Sequence, residues 1–292
     1  MRNMLKLVAA SFVALILLPS HSFAINNVNA AAISICQPTG TMLASGGNCR
    51  STPTKYGITI YEMGLCTSHP YGAAKTAAAF DSSVCVRTYS NPSATEVDLA
   101  ANIGGVSPLP GTSTAPAVGT YSFPYIIMGQ NFTVSGEFTH DTLGTFRSDG
   151  SGGVNGVSVT AQTDSLVQFG NSVNTCFSGY VGAVVTGGTI DGFVADTSFE
   201  RSASATDRQC DKRGRLVGVM NLSTPVVVTP KTFSVVFNFL LTNNGIQWSD
   251  TDNNASNGPE ELGRAHFAGY FVIKDAEWSE ICRGLAGRSR YG

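Results

Sequence analysis

The densest group of oxygen-bearing side chains in this sequence lies in residues 250–261, DTDNNASNGPEE. Ca²⁺ takes about 6–8 oxygen ligands, and loops that hold it supply them at alternate positions. Counted from the first residue of the segment, positions 1, 3, 5, 7 and 12 are Asp250, Asp252, Asn254, Ser256 and Glu261. The spacing therefore makes Ca²⁺ the candidate cofactor of this chain, with these five residues as its ligands.

The spacing is similar to that of an EF-hand loop, with two departures. Ala255 stands where the sharp turn uses Gly, and Pro259 occupies position 10. The residues before the loop also predict a strand rather than a helix, so the alternative is a solvated loop of turn-forming residues. Trp248 adjoins the loop, and we expect it to stack against a carbohydrate ligand. The alternative is a core or cross-strand position, which is usual for aromatic residues at strand spacing.

Catalytic patterns are sparse. A Ser-His-Asp arrangement needs a His that serves as a base, but the sequence has no G-x-S-x-G elbow and only three His residues beyond residue 24: His69, His140 and His266. Glycoside cleavage needs two carboxylates, and several neighbouring pairs are available. These pairs are Glu260/Glu261, Asp250/Asp252 and Asp191/Asp196. We predict no catalytic residue and keep a carboxylate-dependent hydrolase as an alternative.

The composition is low in charge. Charged residues make up 13% of the chain, hydrophobic residues 42%, and the formal net charge is −2. Arg147 is the only basic residue between Thr88 and Glu200, so no broad basic face is predicted. Nucleic acid is therefore excluded as an expected partner.

The N-terminus has the three parts of an export signal. Arg2 and Lys6 precede an apolar run over residues 7–18, and Ser22 and Ala24 are small residues before a cleavage site. The apolar run is shorter than the ~20 residues that span a bilayer. We therefore predict a signal peptide over residues 1–24 and a secreted, periplasmic or cell-surface protein with no integral membrane span after cleavage.

Seven cysteines are then expected in an oxidising compartment, where they form disulfides. Sequence alone leaves the pairing open. Proximity along the chain favours Cys36–Cys49, Cys66–Cys85 and Cys176–Cys210, with Cys282 as the odd thiol.

The elements that must position these residues are short β-prone runs separated by Gly, Pro, Asn and Asp. Runs of this kind include residues 55–66, 119–128, 131–139 and 231–242. Asn243, Asn244 and Gly245 suit a tight turn, which predicts a hairpin between residues 231–242 and 246–248. Helical signals are confined to residues 72–80, 259–261 and 276–285.

This pattern predicts an all-β, antiparallel β-sandwich with short helices and disulfide links. A Gly- and Ser-rich stretch over residues 146–156 suggests a boundary. The domain prediction is therefore an N-terminal β lobe over residues 25–146 and a C-terminal β lobe over residues 147–292, with one continuous β domain as the alternative.

Residues 56–138 carry a resemblance. Residues 60–65 (IYEMGL), then Asp98-Leu99, then Gly119-Thr120-Tyr121 resemble the strand motifs of secreted prealbumin-like β-sandwich domains. The opening framed by cysteines is also similar to uncharacterised secreted proteins of marine bacteria. The resemblance implies a β-sandwich and no assigned catalytic residue.

These observations lead to three hypotheses of function. The first is a non-catalytic secreted or surface β-protein with a structural, adhesive or assembly role. Its partners would be other surface proteins or a second copy, joined by β-strand addition through residues 25–35. The second is a calcium-assisted module that binds a ligand such as carbohydrate at residues 248–261. The third is the carboxylate-dependent hydrolase.

Overall fold

The structure, a computed structural model, is nearly all β. It describes residues 34–43, 47–167, 169, 179–185, 187–201, 213–252, 254, 257–265 and 269–275, with the backbone alone for residues 180, 233–235 and 269–275. Within these residues, helix is limited to two short 3₁₀ segments, Ser82–Val84 and Ala100–Asn102.

The strands are numbered in chain order: β1 Ser34–Ile35, β2 Asn48–Ser51, β3 Lys55–Ile58, β4 Ile60–Cys66, β5 Cys85–Ser90, β6 Val97–Asp98, β7 Thr112–Ser113, β8 Gly119–Tyr121, β9 Phe123–Gly129, β10 Asn131–Ser135, β11 Glu137–His140, β12 Gly144–Asp149, β13 Asn155–Thr160, β14 Gln162–Ser165, β15 Gly179–Val185, β16 Gly188–Ala195, β17 Arg215–Leu222, β18 Val226–Val228, β19 Thr232–Phe239, β20 Ile246–Ser249, β21 Glu261–Arg264 and β22 Gly269–Asp275.

The largest sheet has seven strands in the order β15-β16-β17-β9-β4-β5-β7, with antiparallel neighbours throughout. Its central strands are apolar on both faces because both faces are covered. Along β9, Ile126 and Met128 enter one core, while Tyr125 and Ile127 enter the other. This alternation is the period of two that a strand imposes on its side chains.

One face of the large sheet packs against a four-stranded sheet in the order β14-β10-β3-β6. Tyr56 and Ile58 of β3 and Phe132 and Val134 of β10 are all buried in this shared core. Two layers whose inner faces interdigitate in this way make the antiparallel β-sandwich that the strand pattern predicts.

The other face of the large sheet is covered by residues 67–84, which we call the disulfide loop because the Cys66–Cys85 disulfide closes it. Tyr71 and Phe80 of the loop pack over the sheet against Tyr125, Phe193 and Phe199. A chain segment that buries aromatic rings in this manner can cover a sheet without being a helix.

A further four-stranded sheet, β1-β2-β20-β21, and a three-stranded sheet, β11-β12-β13, lie at the end of the sandwich that carries the candidate site. Gly136, just before β11, allows the chain to pass close to Ile246 of β20, because a Cβ atom at residue 136 would lie 2.1 Å from Ile246 Cδ1. Two smaller two-stranded sheets, β8-β18 and β19-β22, complete the described residues.

Two predictions of local structure are wrong. Residues 72–80 form turns rather than a helix, because they are spread over the sheet by the contacts of Tyr71 and Phe80. Residues 259–261 do not form a helical turn, because β21 begins at Glu261. The third predicted helix, residues 276–285, lies outside the described residues.

The hairpin predicted around Asn243 to Gly245 is also wrong in its partner. The turn is present, with the Asn244 and Gly245 N–H groups donating to the Leu241 carbonyl. However, β19 pairs with β22, while β20 leaves the turn to pair with β2 and β21. A turn signal fixes the change of direction and leaves the choice of partner strand to tertiary packing.

Strands from both sides of residue 146 share sheets. β9 pairs with β17, β2 pairs with β20, and β10 pairs with β14. This arrangement favours the continuous β domain over lobes divided at residue 146, since the predicted boundary falls within β12.

The Cys36–Cys49 and Cys66–Cys85 disulfides are present as predicted. Cys176, Cys210 and Cys282 lie outside the described residues, as does the predicted signal peptide. Disulfides of this kind are typical of proteins from oxidising compartments. In the part of the chain that the structure describes, no helix combines the length and the apolar character needed to cross a membrane.

Candidate ligand-binding groove

A polar groove of about 830 Å³ lies between β14, the turn over residues 150–153 and the β20–β21 hairpin. We call it the groove. Its walls carry amide, hydroxyl and charged side chains, among them Gln162, Asp164, Gln247, Glu260, Glu261 and Arg264.

Strand alternation explains which side chains face the groove. Ile246 and Trp248 of β20 are fully buried, whereas Gln247 and Ser249 between and after them line the groove. On β14, Gln162 and Asp164 are two residues apart and reach the same groove. The groove is therefore the polar outer side of strands whose other side is core.

The turn over residues 150–153 is held by Asp149. Its Oδ1 accepts hydrogen bonds from the Ser151 N–H at 2.7 Å, the Ser151 hydroxyl at 2.8 Å and the Gly153 N–H at 3.1 Å. The hydrogen bonds from the backbone and hydroxyl of Ser151 hold the pKa of the Asp149 carboxyl below its usual value. The turn is joined to the hairpin because the Leu262 N–H donates to the Gly152 carbonyl.

Gln162 and Asp164 connect β14 to the hairpin. The Gln162 amide donates to the Leu262 carbonyl, and its side chain is 8% exposed. The Gln162 Oε1 atom has no hydrogen-bond partner among the described residues. Asp164 Oδ2 accepts from the Arg264 N–H at 2.7 Å, and Arg264 Nε lies 3.8 Å from Asp164 Oδ1.

An acidic cluster lies next to the groove in the loop that joins β20 to β21. Oxygen atoms of Asp250, Asp252 and Glu260 lie within 4.8 Å of one another. Two oxygens bound to one Ca²⁺ at about 2.3–2.6 Å can be no farther apart than about 5 Å. Glu260 belongs to both features, because it also lines the groove.

Hydrogen bonds within the loop keep the acidic cluster together. The Asn254 N–H donates to Asp252 Oδ1 at 2.7 Å, and the Asn257 amide donates to Asp252 Oδ2 at 2.9 Å. The Thr251 N–H donates to Glu260 Oε2 at 2.9 Å. The bonds from Asn257 and Asn254 lower the pKa of the Asp252 carboxyl, so this exposed group is ionised at neutral pH.

The structure brings together part of the predicted calcium set. Asp250 and Asp252 belong to the acidic cluster, but its third member is Glu260 rather than Glu261. Glu261 is the first residue of β21, where it pairs with Ser249. The loop joins the two strands of a hairpin, β20 and β21, and the carboxylate that meets Asp250 and Asp252 comes one residue earlier than in an EF-hand loop. Asn254 contributes its N–H to the loop, and Ser256 lies outside the described residues.

Trp248 cannot provide a stacking surface in this structure. Its side chain is fully buried, its ring centroid lies 6.4 Å from that of Phe138, and its Nε1–H donates to the Ser51 hydroxyl at 2.7 Å. The sequence correctly placed an aromatic residue beside the loop, but its inward position follows from the register of β20 between β2 and β21.

The remaining catalytic candidates have structural contacts. His140 Nδ1 accepts from the backbone N–H groups of Thr142 and Leu143, and its Nε2 lies 3.0 Å from the Gly40 carbonyl. Asp196 Oδ1 accepts from two backbone N–H groups of its own turn, and Asp191 is fully buried. His266 lies outside the described residues.

Comparison of the chain with protein-family models, with curated proteins and with solved structures finds no match. The resemblance to prealbumin-like domains and to secreted proteins of marine bacteria therefore stays a prediction. The groove and the acidic cluster are the features of the described residues that point to a function.

Proposed function

We propose that this protein is an exported, non-catalytic binding module that takes a carbohydrate ligand in the groove, with Ca²⁺ bound at the acidic cluster. The observation that carries this proposal is the convergence of Asp250, Asp252 and Glu260 at the rim of a groove that is lined by polar side chains. The two disulfides and the predicted signal peptide support the exported location.

Calcium suits the acidic cluster because all three side chains offer hard oxygen ligands and none offers nitrogen or sulfur. Three carboxylates so close together repel one another, and a divalent cation removes that repulsion. The backbone carbonyls of the loop and water would supply the rest of the coordination shell. Since Glu260 also lines the groove, ion binding would set the position of one groove wall.

Carbohydrate suits the groove because its walls present hydrogen-bonding groups rather than an apolar surface. Gln162 lines one wall of the groove, and its amide positions that wall by donating a hydrogen bond to the Leu262 carbonyl. Asp164 and Arg264 add an acceptor and a donor on the same wall. A hydroxyl-rich ligand matches this mixture of donors and acceptors.

Calorimetric titration of the mature protein with CaCl₂ tests the ion site. We expect binding by the wild-type protein, loss of binding in Asp252→Asn and Glu260→Gln, and retained binding in the matched control Glu261→Gln, whose carboxylate lies outside the acidic cluster. At Ca²⁺ concentrations about 100-fold above Kd, the folded state should gain about 2.7 kcal/mol. Absence of both heat and a rise in melting temperature in the wild-type protein would refute the calcium site.

A carbohydrate array probed with and without Ca²⁺ then tests the ligand. We expect bound glycans whose signal falls when Ca²⁺ is chelated and when Gln162 is changed to Leu. Glycan binding that survives Gln162→Leu would place the ligand outside the groove.

The second candidate function is β-strand addition to another chain, because β13 is an edge strand with mostly exposed residues. Its one partner among the described strands is β12, and its Val157 side chain is fully exposed. Uncovered valines on an edge strand favour pairing with another chain. In the segment predicted to add to a neighbour, Ser34 and Ile35 instead pair within the chain, as β1 against β2.

Analytical ultracentrifugation over a range of protein concentrations tests this second candidate. Self-association that Val157→Lys abolishes would support it, with Thr142→Lys as a control on an exposed loop residue. A wild-type protein that stays monomeric at the highest concentration would remove self-association through β13.

A further inference from the structure

Three charged or titratable side chains meet under the disulfide loop, and none of them lines the groove. Asp191 of β16 is fully buried, and its Oδ2 atom lies 2.8 Å from Lys75 Nζ and 3.2 Å from His69 Nε2. Its Oδ1 atom accepts the Gly182 N–H at 2.7 Å. Lys75 and His69 both come from the disulfide loop, so the contact joins that loop to the edge region of the large sheet.

The backbone of Lys75 is held in a conformation that few residues with side chains adopt. Its φ is +57°, in the left-handed region. The Lys75 N–H donates to the Gly72 carbonyl, and the Lys75 carbonyl accepts from the Arg201 guanidinium. Strained residues of this kind persist where the surroundings fix them, and they concentrate at functional sites.

Aromatic rings surround the three side chains. The His69 ring centroid lies 5.8 Å from that of Phe123 and 6.2 Å from that of Phe193, and the Tyr71 ring packs 4.9 Å from Phe193. The Lys75 side chain is the most exposed of the three, at 22%. An ion pair in such apolar surroundings carries a desolvation cost that its Coulomb attraction does not always repay.

We propose that Lys75 and Asp191 condense into an intramolecular isopeptide bond. The bond that forms joins Lys75 Nζ to Asp191 Cγ, and the bond that breaks joins Cγ to Oδ2. Two of the three ammonium protons leave with Oδ2 as one molecule of water, so charge and atoms balance and no oxidant or co-reactant is needed. The partly exposed Lys75 stem provides the route by which that water leaves.

His69 lies next to the oxygen that leaves. Its Nδ1 atom accepts the Tyr71 N–H at 3.1 Å, which leaves the proton of the neutral ring on Nε2, facing Asp191 Oδ2. Burial opposes ionisation of Asp191, but the His69 imidazole, the Lys75 ammonium and the Gly182 N–H hold the pKa of its carboxyl below its usual value. The reaction starts from the ion pair. Lys75 Nζ passes one proton to Asp191 Oδ2, 2.8 Å away, the neutral amine attacks Cγ, and a second proton from Nζ leaves with Oδ2 as water. The His69 ring, 3.2 Å from Oδ2, stabilises the charge on that oxygen.

Two physical terms favour the product. Holding the amine against the carboxyl raises its effective concentration to about 10⁵–10⁸ M in well-oriented cases. A neutral amide also removes the cost of keeping two charges out of water. The bond would fasten the disulfide loop, which starts at β4, to β16 across the intervening strands β9 and β17.

Intact-mass spectrometry of the mature, folded protein after denaturation and reduction tests the proposal. We expect the wild-type protein to be lighter than its sequence mass by one water and to yield a branched peptide joining Lys75 to Asp191. Lys75→Arg keeps the ion pair but cannot form the bond, so it should have its full mass. Lys55→Arg, which alters the exposed Lys55–Glu96 pair, is the matched control and should keep the water loss.

Succinimide formation at Asp191-Gly192 also removes one water, and Lys75→Arg distinguishes the two products because a succinimide does not need Lys75. A wild-type protein of full mass after prolonged incubation in the folded state overturns the proposal, as does a water loss that persists in Lys75→Arg. His69→Gln should slow formation of the branched peptide after refolding. An unchanged rate would overturn the role of His69 in stabilising the leaving oxygen.

Discussion

Replacement of Trp248 provides a sharp test of whether its side chain belongs to the core or to the ligand site. The indole is fully buried among Phe138, Ile246 and Leu262, and it donates to Ser51. Removing a buried aromatic ring of this size costs about 3–5 kcal/mol, because the lost contacts are followed by an incompletely filled cavity. For a chain of this size, that loss lowers the melting temperature by about 6–20 °C.

The hydrogen bond can be separated from the packing. Trp248→Phe retains most of the ring but leaves Ser51 without its donor, while Ser51→Ala leaves a buried indole N–H unpaired, at a cost of about 1–3 kcal/mol. Urea unfolding of both single variants and of the double variant gives the coupling energy, expected at about 0.5–1.5 kcal/mol.

Fluorescence provides the second measurement. Trp248 and Trp278 are the two tryptophans of the chain, so a Trp278→Phe background isolates the buried residue. We expect blue-shifted emission that resists quenching by iodide. A Trp248→Ala variant that unfolds within about 0.5 kcal/mol of the wild-type protein, the range of ordinary surface substitutions, would refute the core position. So would readily quenched emission.

Three further predictions concern the scaffold. Gly64→Ala should destabilise the protein by about 1–3 kcal/mol in urea unfolding, because its Cβ atom would lie 2.4 Å from the Val86 carbonyl oxygen, whereas the Gly105→Ala control meets nothing closer than 3.4 Å. Paired replacement of Cys66 and Cys85 by Ser should cost about 3 kcal/mol, from the entropy of a loop that spans 19 residues, and an unchanged melting temperature would contradict this. Burial raises the pKa of the phenols of Tyr56, Tyr71 and Tyr125 above the ordinary value of about 10. Unfolding at higher pH should therefore release protons, and the free energy of unfolding should fall as the pH rises above about 10. Ionisation of these phenols, followed by ultraviolet absorbance, should coincide with unfolding rather than precede it.

The features predicted best from the sequence depend on neighbours along the chain. The strand predicted over residues 119–128 is divided into β8 and β9, but the alternation over β9 is present, with successive side chains entering opposite cores. The Cys36–Cys49 and Cys66–Cys85 disulfides link residues that are close in sequence, so proximity was a sound guide to them.

The features that the sequence missed depend on partners that are distant along the chain. Trp248 is buried because β20 lies between β2 and β21, and no local pattern states that register. Glu260 replaces Glu261 in the acidic cluster because a hairpin closes the loop. Gln162 and Asp164 alternate on one strand, which was a readable signal, but their proximity to Arg264 follows from tertiary packing.

The buried group of Lys75, His69 and Asp191 illustrates the same limit. The sequence offers Asp191 only as one member of the carboxylate pair Asp191/Asp196, since nothing in its surroundings in the sequence marks it as buried. Its contacts arise only when the disulfide loop crosses the large sheet. The sequence identifies the residue types that can do chemistry. Which of them come into contact depends on the path of the disulfide loop across the large sheet.

An anomalous difference map from crystals grown with Ca²⁺ tests whether the acidic cluster binds the ion, because it locates the ion as well as detecting it. We expect a peak about 2.3–2.6 Å from carboxylate oxygens of Asp250, Asp252 and Glu260. That peak should be absent from crystals of Asp252→Asn grown in the same way. A wild-type map with no peak at the acidic cluster, or with its peak at another group of residues, would show that the acidic cluster is not a calcium site.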